Sequence, residues 1–144
     1  MSADPNGWQG RPAPSLAEIE ALAHAAFDAL PRPFREACRN LVIVVEDFPD
    51  EATLDEMRCE SEFDLLGLFR GLGLAQAGGD EAAGLPNRIW LYRRPILDYW
   101  AEHEDALDAI VTHVLVHEIG HHLGHSDADL EAIEAGVEEQ SKRD

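Results

Sequence analysis

A single α+β domain is the fold class that this sequence predicts, and three observations predict it. An amphipathic helical repeat opens the chain, short apolar and β-branched runs fill its middle, and one helix apolar on almost every side follows them. At 144 residues the chain suits one domain, large enough to bury about two thirds of its unfolded surface without disulfides. Residues 1–14, polar and rich in Gly and Pro, read as a disordered arm, 15–136 as the folded domain and 137–144 as a charged tail.

Ser15 with Glu18 three residues on is the pattern of a capping box, which predicts a helix to about Leu30. Leu16, Ile19, Leu22, Ala23, Ala26, Phe27 and Leu30 repeat at three and four residues and form its buried face. Pro31 and Pro33 stop it, and a short helical stretch from Phe34 to Arg39 follows. Leu41 to Val45 is a β-branched run expected as an interior strand. From Pro49 to Glu62 the acidic chain has no sustained period and reads as helix or loop. Leu65 to Phe69 is expected as a second strand, Ala75 to Pro86 as an exposed loop, and Arg88 to Arg93 as a third strand ending at Arg94-Pro95.

The next helix is expected to start near Glu104 or Asp105, where acidic residues suit its positive end. Ile110, Val111, Val114, Leu115, Val116, Ile119 and Leu123 surround it, so it belongs at the centre of the fold. A last short helix from Asp127 to about Glu134 turns Leu130 and Ile133 inward.

The central helix carries His117-Glu118-Ile119-Gly120-His121. Residues four apart on a helix lie about 40° from each other around the axis, so two imidazoles can reach one ion while Glu118, about 100° off, flanks a water on it. That is the arrangement of a zinc hydrolase. The string continues through Gly124 to Asp127, reading HExxHxxGxxD. A glycine there can take the left-handed conformation that ends a helix and turns the chain back, which brings Asp127 round as a third ligand. Two nitrogens and one carboxylate oxygen leave zinc a fourth position for water. Asp127 could otherwise cap the last helix, and Asp129, Glu131 and Glu134 are alternative third ligands. His122 points away from His121 and reads as packing; His113, one turn before His117, reads as an exposed neighbour, and His125 as a residue at the mouth of the site.

Eleven basic residues against 29 acidic give a net charge of −18, which repels nucleic acid and anionic membrane surfaces. Cys38 and Cys59 belong to no Cys/His cluster and read as reduced thiols rather than zinc ligands. With no signal-like apolar segment and no membrane-length apolar run, the expected location is the cytoplasm.

Three blocks, Leu65-Leu66-Gly67-Leu68-Phe69, Pro86 to Pro95 with its Leu91-Tyr92-Arg93-Arg94-Pro95, and His117 to Leu130, resemble in order the small bacterial zincin-like metallopeptidases. The resemblance implies a minimal zincin-like fold, with a small twisted mixed sheet packed on the metal-binding helix. It implies Zn2+ held by His117, His121 and Asp127, Glu118 as the catalytic base, and a peptide or protein as substrate. Zincins also often present an edge strand to an extended peptide, a role that the strand Ile89 to Arg93 could fill; Tyr92 is a candidate oxyanion donor. The string resembles the metzincins as well, but Met1 and Met57 both lie upstream, so no Met-turn follows. The short stretch after Asp127 is not expected to supply the C-terminal wall of larger peptidases. That leaves a competing expectation, a metal-bound but catalytically idle module that binds other proteins.

Overall fold

Ser15 opens the first helix, α1 (Leu16–Asp28), by the expected capping box: its hydroxyl accepts from the Glu18 N–H, and Glu18 accepts from the Ser15 N–H, each at 3.1 Å. The computed structural model describes residues 9–71 and 87–143, with side chains as far as 136. The loop expected at Ala75 to Pro86 therefore lies outside the described residues, as does most of the arm at 1–14. After α1 come α2 (Arg32–Ala37), β1 (Val42–Glu46), α3 (Glu51–Glu56), β2 (Gly67–Arg70), β3 (Arg88–Tyr92), α4 (Arg93–Glu102), α5 (Leu107–His122) and α6 (Asp127–Arg143).

The fold is α+β, with a small mixed sheet of order β1-β3-β2. β1 runs parallel to β3, from Val42 opposite Arg88 to Glu46 opposite Tyr92. β2 runs antiparallel to β3, from Gly67 opposite Leu91 to Arg70 opposite Arg88. β3 is thus the central strand, with Ile89 and Leu91 fully buried. This corrects two expectations. β1 is an edge strand, with Val42 40% exposed, and β3 has no free edge to offer a peptide. Among the described strands the two edges belong to β1 and β2, and of these β2 lies beside α5.

α5 is the hub, packed by α1, α4, α6, β2 and β3. It is apolar around nearly its whole circumference, and Ile110, Val111, Leu115, Val116 and Ile119 are at most 2% exposed. β2 sits close against it at Gly67, where an added Cβ would lie 2.6 Å from Val114.

Two helices differ from expectation. No helix is expected from the sequence between the strand ending at Arg94-Pro95 and the helix near Glu104, yet α4 lies there with Pro95 in its first turn, where backbone N–H groups have no intrahelical partner and proline removes nothing. α6 continues well past Glu134, to Arg143.

Candidate metal centre

Three histidines, His113, His117 and His121, recur every fourth residue along α5 and form a stripe on one face of it. The stripe meets a helix that doubles back. α5 ends at Leu123, and Gly124 takes a left-handed φ of +88°. The Gly124 N–H donates to the His121 carbonyl at 3.0 Å and the His125 N–H to the Gly120 carbonyl at 2.9 Å, the paired bonds of a Schellman motif. Ser126 then caps α6, its hydroxyl accepting from the Asp129 N–H at 3.2 Å while the Asp129 carboxylate accepts from the Ser126 N–H. Those bonds hold the Asp129 carboxyl below its ordinary value. Asp129 is therefore engaged in the cap, while the Asp127 carboxylate is free to face α5.

The two helices pack tightly because Gly120 has no side chain: a Cβ there would lie 2.1 Å from Leu130 Cδ2. With that spacing, Asp127 and Glu134, two turns apart on α6, both face the histidine stripe. Asp127 Oδ1 lies 2.7 Å from His121 Nε2. Glu134 Oε1 and Oε2 each lie 3.0 Å from His113 Nδ1, and Oε2 is 3.4 Å from His117 Nε2. The helix pair is laced by imidazole and carboxylate groups.

Among the described residues two sets of ligand atoms, each set within a mutual 4.8 Å, result: His117, His121 and Asp127, and His113, His117 and Glu134. The first is the trio expected from the sequence. The second includes Glu134, weighed as an alternative ligand, and His113, expected only as a neighbour. The signal for it is the unbroken four-residue histidine spacing, with Glu134 seven residues after Asp127. Glu131 is exposed and belongs to neither set.

Zinc fits the first set on two counts. Two imidazole nitrogens and one carboxylate oxygen are a zinc donor set that keeps a position open. His117 Nε2, moreover, is enclosed and makes no hydrogen bond. Such an orphaned polar atom costs about 1–3 kcal/mol, a cost that ligation removes.

Glu118 is half-buried beside this trio. Burial pushes its carboxyl above the ordinary value, against the opposing pull of His121 and of the Phe69 backbone N–H on β2. A cleft of about 480 Å³ opens beside it, lined by Leu66 and Gly67 at the start of β2, Tyr99 of α4, and His113, His117 and Glu134.

Three neighbouring residues lie elsewhere. His125 stacks on Phe34 at 5.3 Å rather than lining the cleft. Tyr92 is 2% exposed and outside the cleft lining, so it is not placed to donate to an oxyanion there. His122 packs on Phe69, their ring centroids 4.3 Å apart, in line with its expected packing role. Cys38 and Cys59 are free thiols, and neither joins a set of ligand atoms. No described helix is long and apolar enough to cross a membrane.

The family profile described as zincin-like metallopeptidase matches residues 38–137. A solved structure, of a conserved hypothetical protein from Thermus thermophilus, is 21% identical, with 76% of this chain and 94% of that one covered at a TM-score of 0.53. At that identity the likeness concerns the fold alone. No curated protein matches this chain significantly.

Proposed function

Because the chain belongs to the zincin-like metallopeptidase family, we propose that it is a zinc-dependent peptidase whose metal is held by His117, His121 and Asp127, with Glu118 as general base. The observation that carries the proposal is the meeting of those three ligand atoms within 4.8 Å, beside a half-buried carboxylate and an open cleft. Zinc bound there would polarise the scissile carbonyl and acidify a water.

The protein's own groups divide the remaining work. The outer edge of β2, on which the Phe69 N–H already faces Glu118, offers its other backbone groups to an extended peptide, and the cleft beneath receives one of its side chains. Glu118 takes a proton from the attacking water and returns it to the leaving amine nitrogen as the C–N bond breaks. A carboxyl raised by burial suits that exchange, since it holds the proton between the two transfers more readily than an ordinary one.

Hydrolysis of a broad peptide library by zinc-loaded protein tests the proposal. Glu118→Gln is expected to keep zinc and to lose at least about 100-fold in rate. Equal background hydrolysis by the two proteins would refute it.

One observation favours a second reading, the metal-bound but idle binding module. The side chains of His121 and Asp127 are 53% and 77% exposed, so that side of the centre lacks the dry enclosure that strengthens catalytic electrostatics. Stoichiometric zinc without turnover of any library member would select it.

A further inference from the structure

We infer that the chain holds a second, alternative position for a divalent cation, one helical turn back along α5 from the proposed centre, built by His113, His117 and Glu134. Its ligand atoms lie within 4.8 Å of one another. They supply the same chemistry as the first set, two imidazole nitrogens and a carboxylate. Both carboxylate oxygens already face His113 Nδ1 at 3.0 Å, and one lies 3.4 Å from His117 Nε2. An ion pair between Glu134 and a protonated His113 would account for the first contact alone. It would leave the enclosed His117 Nε2 without a hydrogen bond, as it stands.

The second position is also the better shielded. The difference lies in the carboxylate: the Glu134 side chain is 17% exposed against 77% for Asp127, while His113 and His121 are alike at 50% and 53%. A less hydrated carboxylate attracts a cation more strongly. Entry is open, since His113, His117 and Glu134 all line the cleft.

His117 belongs to both sets, and one ring nitrogen ligates one ion. The positions are therefore mutually exclusive: one cation per chain, with two places to sit. A cation held by His113 and Glu134 takes His117 away from His121 and Asp127, and so competes with the hydrolytic arrangement. The inference rests on the proposed centre only through this shared histidine.

Cobalt(II) titration of the full chain without a histidine tag, followed by visible absorbance and calorimetry, tests it, with circular dichroism reporting the fold of each variant. Wild type should bind one cobalt. H121A/D127A, which removes two exposed ligands of the first position, should still bind one. H113A/H121A/D127A should bind at least about 100-fold more weakly than H121A/D127A. A folded H121A/D127A that binds no better than the triple variant overturns the inference and leaves the proposed centre standing. H121A alone repeats the comparison should the double variant fail to fold. Loss of cobalt from H113A, with retention by H121A/D127A, would sink the proposed centre and keep the second position. Wild type that binds no cobalt would sink both.

Discussion

His121 Nε2 and Asp127 Oδ1 stand 2.7 Å apart across the turn at Gly124. The contact joins the last turn of α5 to the first residue of α6, and it depends on a division of labour between neighbours. Ser126 and Asp129 satisfy the start of α6, which leaves the Asp127 carboxylate for the imidazole. The place of a third ligand is thus set by how one helix stops and the next begins.

Gly124→Ala should destabilise the protein by about 1–2 kcal/mol, because a Cβ at φ +88° strains against the backbone. It should also weaken zinc, since the turn positions Asp127. Urea denaturation and a zinc-competition assay measure the two effects. Gly124→Asn should cost less than alanine, asparagine being the more tolerant of left-handed φ; equal costs would mean that the turn is not held as described.

Gly120→Ala should cost about 1–3 kcal/mol through the clash with Leu130, whose Cδ2 would be 2.1 Å from the new Cβ. Leu130→Ala alone should cost about 2–5 kcal/mol, since that side chain is fully buried. In the double variant the smaller residue makes room for the new methyl group. The combined loss should fall short of the sum by about 1 kcal/mol or more in denaturant melts. Strict additivity would show that α5 and α6 do not meet at this point.

These two glycines also show what a single sequence conveys. The histidine pair, the turn glycine and the capping box of α1 are written in residues a few positions apart, and such local patterns are legible. Which strand is central is not, because β1 pairs with β3 across more than forty intervening residues and nothing local records that choice. Helix α4 is not expected from the sequence after the strand ending at Arg94-Pro95, although proline is tolerated in a first helical turn. Glu134 reaches His117 only because α6 folds back closely over Gly120. Its seven-residue distance from Asp127 is visible in the sequence, whereas the helix packing that gives the spacing meaning is not.

Cys38, 1% exposed, should make stability fall at alkaline pH. Burial pushes its thiol from an ordinary value of 9.0 up to about 11. Below pH 9 the thiol is neutral in both folded and unfolded chains and contributes no pH dependence. Between about pH 9 and 11 the unfolded chain ionises first, so stability drops, by about 3 kcal/mol in all, and levels off above the folded value. Cys38→Ala should remove this part of the slope in denaturant melts taken from pH 8 to 11. An unchanged slope in the variant would exclude the thiol as its source.

Zinc content of protein purified without a histidine tag, measured for wild type and His117→Ala, tests the central claim most directly, because His117 is shared by both sets of ligand atoms. About one zinc per chain in wild type, a chelator-induced fall in Tm, and loss of the metal from His117→Ala are the predicted results. A wild-type protein that takes up no zinc even when it is supplied, or a His117→Ala variant that holds it equally well, would contradict the account.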